Sequence, residues 1–421
     1  MFSKLKRISS QNRTLFKNTV MLYILQFSTY LFSFITVPYQ TRVLGPEVYG
    51  LLGVVTAVMM YFQLFMDFGF LLSATEDISK NRHDHDYVCR KTTSIALIKL
   101  CFAIISFAVM TLLCFAVERF SEYKALYFTY LAAFVINSFL PDYIYRGLEQ
   151  MTAVTIRTVL IKLFSCVMIF VFLRSKTDYM MVPIFLLIGN TGAVLGAYLH
   201  LFKTFKYHFV KVNPRDVFND FKRSSMFFYS RIATTVYSAT NTVVLGMIDR
   251  VGVVTGCYTS ADRVVTLAKN GLSPISDSLY PYMVKHKDFK LVKKMLLWIM
   301  PVIIGGCVIV GVFARPLCVF AFGEEYKGTA NILRAFLPTL ITTLPSYIFG
   351  FPVLSAMGLS KYANYSIFVG SIVHIIGLAL MLLTNTLTGV TLAAMTSVSE
   401  LVILSYRVVM VYKNRKRMKE E

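Results

Sequence analysis

The residues of this sequence that could do chemistry are ionised side chains inside long apolar runs. Five cations, Lys99, Lys162, Arg231, Arg263 and Arg334, stand in such runs, and Lys269 joins Arg263 in one of them. An ionised group at the centre of a bilayer costs roughly 2.5–3.5 kcal/mol on insertion scales, so each must face water, a partner or an interface it can reach. Lys99 and Arg334 lie within about two turns of a helix end, where a long side chain can snorkel. Lys162, Arg231 and Arg263 lie deeper. Arginine offers a fixed fork of donors that suits a diphosphate, so these cations in a hydrated interior would attract an anionic cargo. Such a role needs no nucleophile.

Acidic residues are embedded as well: Asp67, Asp142, Asp249, Asp262 and Glu400. Asp67, Asp142 and Asp249 fall near the ends of apolar runs. Asp262 can pair with a neighbouring cation, and Glu400, in mid-run, can either pair or carry a proton. The sequence leaves structural ion pair and proton relay both open. His374 reads as a helix-contact residue. His83 and His85, amid Asp84 and Asp86, read as a solvated charged loop. Seven scattered cysteines without a CxxC spacing argue against a disulfide framework and a metal site, and no cofactor is expected.

Polar residues recur at helical spacing beside these charges. One stripe is Gln26, Thr29, Ser33 and Thr36; another is Arg231, Thr234, Ser238 and Asn241; a third joins Arg263, Thr266 and Asn270, with Asp262 and Lys269 beside it. The alternatives are a lumen lining or close helix–helix contact through small hydroxyl residues. An arginine on the second stripe favours the lumen.

The elements that must position these groups are membrane helices. The chain has 421 residues, 56% hydrophobic and 15% charged, with a mean hydropathy of +0.61. A soluble domain carries about 25% charged residues. Apolar runs of roughly 20 residues recur from end to end, each able to cross a hydrocarbon core about 30 Å thick. They fall near 18–40, 48–72, 93–117, 124–146, 153–173, 180–202, 223–249, 254–278, 293–314, 328–352, 362–383 and 388–411. The first has a basic prelude but no small-residue cleavage site, and it is too long for a signal h-region.

The net charge of +21 follows topology. With twelve spans, the termini and the even-numbered loops, counted together with Lys269 and the span residues nearest them, hold 30 of the 43 Lys and Arg, and the opposite loops hold 8. The positive-inside rule then puts both termini in the cytoplasm, and nucleic acid is not an expected partner. The outer loops are short, which argues against an enzyme working on the far face.

Fixed offsets suggest a duplication. Gln26-Thr29-Ser33-Thr36 is answered 205 residues on by Arg231-Thr234-Ser238-Asn241. Glu122-Tyr123-Lys124 is answered by Glu325-Tyr326-Lys327, and Pro141-Asp142-Tyr143-Ile144 by Pro345-Ser346-Tyr347-Ile348. Two parallel six-helix lobes, 1–205 and 206–421, around a central cavity are expected, with the basic stretch 203–222 as linker.

"RVLGPEVYG" (Arg42–Gly50) with "DFGFLLSATEDIS" (Asp67–Ser79) resembles the N-terminal signature of Wzx-type polysaccharide flippases. "YTSADRVVTLAKNGLSPISDSLYPYM" (Tyr258–Met283), "FGEEYKGTANILR" (Phe322–Arg334) and "VLSAMGLSKYANY" (Val353–Tyr365) are similar to later segments of that family, in the same order. This family lies in the multidrug/oligosaccharidyl-lipid/polysaccharide exporter superfamily. The resemblance implies an all-α fold of twelve helices with a cationic cavity, in a bacterial inner membrane. It implies a cargo of undecaprenyl-diphosphate-linked repeat units of O-antigen, capsule or exopolysaccharide. Membrane lipids, the polysaccharide polymerase and the chain-length machinery are implied partners. Members commonly carry an arginine where Glu76 stands, so no gate role passes to that position. The carry-over is confined to Arg263 and Asp262. Two rivals stand beside this reading: a cation-coupled drug antiporter of the same superfamily, which needs embedded carboxylates, and a membrane polymerase or acyltransferase, which needs a catalytic loop.

Overall fold

The computed structural model describes the backbone of residues 2–415. It describes the side chains of residues 17–415 apart from 229–231, 233, 234 and 236–238. All regular structure among these residues is helical. In chain order the helices are α1 (Phe2–Asp67), α2 (Phe70–Lys80), α3 (His85–Ala116), α4 (Glu118–Glu122), α5 (Lys124–Ser138), α6 (Asp142–Gly147), α7 (Met151–Phe172) and α8 (Met181–Thr204). There follow α9 (Pro214–Ile248), α10 (Val253–His286), α11 (Phe289–Val312), α12 (Ala314–Phe322), α13 (Thr329–Ile348), α14 (Leu354–Ala356), α15 (Ser360–Leu383) and α16 (Gly389–Lys413). A π-helical turn, Phe349–Val353, links α13 to α14.

Eight helical runs among the described residues are long and apolar enough to cross a membrane. One of them, Lys17–Lys80, is 64 residues long. At 1.5 Å per residue that is about 95 Å, roughly three bilayer cores, so it contains both of the first two expected spans. The break between them is Gly45 (φ 70°, ψ 170°), a backbone that glycine adopts readily, and Pro46 then opens the second segment. Two expected spans fall short of that length and composition: α5 stops after 15 residues at Ser138, ahead of Pro141, and α10 carries Asp262, Arg263 and Lys269. In α9 the described side chains give the apolar stretch Ala239–Ile248. Large apolar side chains face outward on the qualifying helices, among them Trp298 at 73% and Leu383 at 80% exposure. Water would penalise that surface; lipid does not. The chain is an all-α integral membrane protein.

Two compact units form: Met1–Val43 with Val55–Ile232, and Leu44–Val54 with Ala233–Glu421. Residues 206–232 thus pack with the first unit, beyond the boundary expected at 205/206.

In the first unit α5 lies against α8, where Asn190 Nδ2 donates to the Ala133 carbonyl at 2.9 Å. α7 is tied to α1 at both ends. Thr155 Oγ1 donates to the Met21 carbonyl at 3.0 Å, and Tyr39 Oη donates to the Leu173 carbonyl at 2.7 Å.

In the second unit α13 packs against α10, α11 and α16. The core there includes Met283, Leu344, Ile348, Leu354 and Ala363. The 44–54 segment meets the start of α10 through glycine. A Cβ on Gly256 would overlap the Pro46 carbonyl, so backbones approach here as no larger residue permits.

Candidate functional site

The embedded charges divide into those that the fold neutralises and those that it leaves available. In the first unit Lys99 is 5% exposed and donates to the Ser138 carbonyl, the last residue of α5. The rings of Phe70 and Tyr143 lie 5.9 and 5.8 Å from its Nζ. Its amine caps a helix C-terminus. Of the two roles open to Lys99, lumen cation or helix-end contact, this contact favours the second: a free helix-end carbonyl inside the bundle needed a donor.

Asp142, at the start of α6, is ion-paired with Arg157 on α7. Asp67 is half-buried and, with Asp142, supplies the negative field around Lys99. Lys162, on the same helix as Arg157, is different. It is half-buried near the middle of α7, and it has no hydrogen-bond or ion-pair partner among the described residues.

A second charge cluster lies where α2, α3 and α9 meet. Lys91 is ion-paired with Asp77 at 2.6 Å and also with Asp220, while Arg223 reaches Asp77 at 2.5 Å. Ser94 Oγ donates to Asp220 at 2.6 Å. Glu76 pairs with Lys80 at 2.5 Å and Arg223 at 3.4 Å. This network holds residues 214–228 of α9 in the first unit. Lys91 and Asp220 did not stand out in the sequence. The one signal that could have raised them was the acidic Glu76-Asp77 pair opposite a very basic linker.

In the second unit Lys269 on α10 and Glu400 on α16 form an ion pair at 2.5 Å, the pair 21% and 10% exposed. Lys269 was expected among the cavity cations and Glu400 either to pair with a buried cation or to carry a proton; the two stand together as a pair. Arg334 is exposed and makes contacts near a helix end. Its Nε donates to the Gly311 carbonyl at 2.9 Å, in the last turn of α11, and its Nη1 donates to Asn331 Oδ1 at 3.1 Å.

Arg263 is exposed and stands at the hydroxyl of buried Tyr49, with half-buried Asp262 beside it. Two segments distant in sequence, 44–54 and the start of α10, thereby meet at one arginine. Asn270 is half-buried further along α10, and Thr266 is exposed.

The polar stripe of α1 is satisfied within its own helix. Thr29, Ser33 and Thr36 donate to the carbonyls of Leu25, Thr29 and Phe32 at 2.8–2.9 Å, and Gln26 donates to Tyr30 Oη at 2.6 Å. Of the α9 stripe, the side chains of Arg231, Thr234 and Ser238 lie outside the described residues. Asn241 is described, and it is buried rather than lining a lumen. Its amide donates to Tyr258 Oη and Thr396 Oγ1, both at 3.0 Å, and its Oδ1 lies 2.8 Å from His374 Nε2. His374 Nδ1 stands 3.0 Å from Ser399 Oγ. A buried asparagine needs such partners, and three other helices supply them.

Arg407 was missed altogether, having been counted with the basic C-terminus. It is 7% exposed. Its Nε donates to Ser366 Oγ at 2.8 Å, and its Nη1 to the Ser346 carbonyl at 2.6 Å and Ser346 Oγ at 3.0 Å. Gly350, just beyond, lies so close that an added Cβ would stand 3.0 Å from Nη1. Arg407 thus braces the π-helical turn from α16.

Among the described residues no group of three or more His, Cys, Asp or Glu is placed to hold a metal ion, and the seven cysteines are free thiols. Burial pushes the Cys318 thiol up to about 11, which keeps it protonated at neutral pH.

Residues 15–287 match the family model described as "Polysaccharide biosynthesis protein". Two curated relatives carry the name "Putative O-antigen transporter". That of Shigella dysenteriae is 26% identical over 368 residues, covering 86% of this chain and 91% of the relative. That of Escherichia coli K12 is 25% identical over 362 residues, covering 82% and 85%. Among solved structures, the lipid II flippase MurJ in an inward closed conformation superposes with a TM-score of 0.73 at 15% identity, covering 94% of this chain and 87% of that one. An inward-facing multidrug resistance MATE family transporter of the MOP superfamily gives 0.68 at 15% identity, covering 96% and 98%. At such identities the two structures show a shared fold.

Proposed function

The chain belongs to the polysaccharide biosynthesis protein family and is a membrane transporter rather than an enzyme, and we propose that it is a flippase for undecaprenyl-diphosphate-linked oligosaccharide repeat units. It moves them from the cytoplasmic to the outer leaflet of a bacterial inner membrane, by alternating access, with both its termini in the cytoplasm. The O-antigen transporters among its relatives support the glycan class.

One observation carries the reading: the acids nearest the embedded cations are ion-paired or hydrogen-bonded while one cation is left over. Glu400, Asp142 and Asp77 are each ion-paired, and Asp262 faces Arg263 and Lys269. Lys162 has no hydrogen-bond or ion-pair partner among the described residues. A half-buried, uncompensated ammonium is costly unless an anion completes it. Lys162 and Arg263 are the groups that engage the diphosphate, and Arg231 is assigned with them on the sequence pattern alone. The sugars need only a hydrated path, and the polyprenyl tail stays in lipid. The antiporter rival would need an available carboxylate at depth; Glu400 and Asp142, two of the candidates, are ion-paired.

A strain deleted for this protein should accumulate undecaprenyl-linked repeat units, measured by extraction and mass spectrometry of the lipid fraction. If it accumulates none, and shows instead a loss of drug resistance, the antiporter reading replaces this one.

A further inference from the structure

α11 carries an apolar groove that nothing in the transport reading uses. Phe289, Leu296, Met300 and Ile304 recur along one face of the helix, opposite Phe349 and Val353 of the π-helical turn. They enclose about 580 Å³. From Phe289 to Ile304 the groove runs about 22 Å at 1.5 Å per residue, the reach of one fatty-acyl chain from a membrane surface toward the midplane. Pro301, which lines it, withholds a backbone donor, and Gly350 breaks the opposing helix (ψ −118°), so the two walls part here.

Lys293 is the one charged residue of the lining, close to the start of α11. Lys290 and Lys294 stand beside it on the same turn, and all three are exposed. None of them has an ion-pair partner among the described residues. Lys285 and Lys287 precede them in the chain. An apolar slot that opens at the exposed Lys290, Lys293 and Lys294 complements one kind of molecule, an amphiphile with a negative head. The positive-inside rule places this basic end at the cytoplasmic face, where anionic lipids attract clustered lysines.

We propose that this groove is a binding site for an anionic phospholipid. One acyl chain lies between α11 and the π-helical turn, and the phosphate rests on Lys293 with Lys290 and Lys294. The proposal does not depend on what the transporter carries.

Trp298 is the only tryptophan of the chain. At 100° per residue it lies roughly 165° around α11 from the centre of the groove stripe, where it reports on bulk lipid. A second reporter, Leu297→Trp in a Trp298→Phe background, looks into the groove. The full chain is reconstituted in phosphatidylcholine vesicles containing brominated phosphatidylglycerol or brominated phosphatidylcholine. The groove reporter should be quenched at about threefold lower mole fraction of the anionic lipid, given the attraction of clustered lysines. Trp298 should respond alike to both lipids, and K290Q, K293Q and K294Q together should abolish the groove preference. Native mass spectrometry of the otherwise unaltered chain repeats the comparison without a new tryptophan: retained phosphatidylglycerol should fall in the triple lysine variant. Equal quenching of the groove reporter by both lipids overturns the proposal, as does unchanged retention. Displacement of the quencher by a trace of undecaprenyl phosphate, but not by unlabelled phosphatidylglycerol, would assign the groove to a polyprenyl chain and overturn it too.

Discussion

Lys269 on α10 and Glu400 on α16 meet at 2.5 Å across 131 residues of sequence. Each removes the other's cost of standing inside the bundle. Removing one partner of such a buried pair typically destabilises by about 3–5 kcal/mol, because the other charge is left uncompensated. K269Q and E400Q alone should each lower the thermal unfolding midpoint of the detergent-purified protein. The double substitution should recover most of the loss. If E400Q leaves stability intact and abolishes transport, a proton relay is the better account of this acid.

Lys162 makes the opposite prediction. It has no partner among the described residues whose charge would be stranded, so K162Q should keep normal protein levels and thermal stability. Surface polysaccharide should fall strongly, with lipid-linked repeat units building up, while K162R should retain part of the activity because a cation remains. Normal export by K162Q would remove this residue from the cargo path.

Arg407 should behave as a brace. R407A strips donors from Ser366 Oγ, the Ser346 carbonyl and Ser346 Oγ inside the core. Each stranded buried group costs about 1–3 kcal/mol. Protein level and export should drop together, and a variant that folds normally would refute the assignment. Transport lost at full protein level would move Arg407 from the scaffold to the cargo path.

Two glycines of α10 separate close approach from simple helix content. G256A should destabilise, because the new methyl would strike the Pro46 carbonyl. G271A points into open space and should be neutral or stabilising by about 0.5–1 kcal/mol, the ordinary helix-propensity gain of alanine. Unfolding midpoints of the two variants in the same detergent decide the matter; an equal response would show that the 44–54 segment and the start of α10 are loosely joined.

Under the proposed topology, with both termini in the cytoplasm, alkaline phosphatase fused after Glu421 should be inactive and a green fluorescent protein fused there should fluoresce. High phosphatase activity would reverse the topology.

Much of the fold was legible because its signals are local. A run of apolar residues meets the length of a lipid core whatever its neighbours do, and Gly45-Pro46 marks a helix break by backbone sterics alone. The count of spans was less legible. α5 ends at Ser138, and α10 is too polar to stand out, since its polar residues find partners in the bundle.

The site divided in the same way. Composition, periodicity and the placement of lysine and arginine determined by themselves that this is a helical membrane protein with charges inside it. Those properties accumulate residue by residue and need no partner. Which of those charges stays available was decided only by the tertiary structure. Neutralising Lys269 takes Glu400, neutralising Lys91 takes Asp220 at a separation of 129 residues, and Lys99 needs the carbonyl that happens to end α5. A buried charge is quenched by whatever lies within a few ångströms in space, and sequence distance carries no record of that.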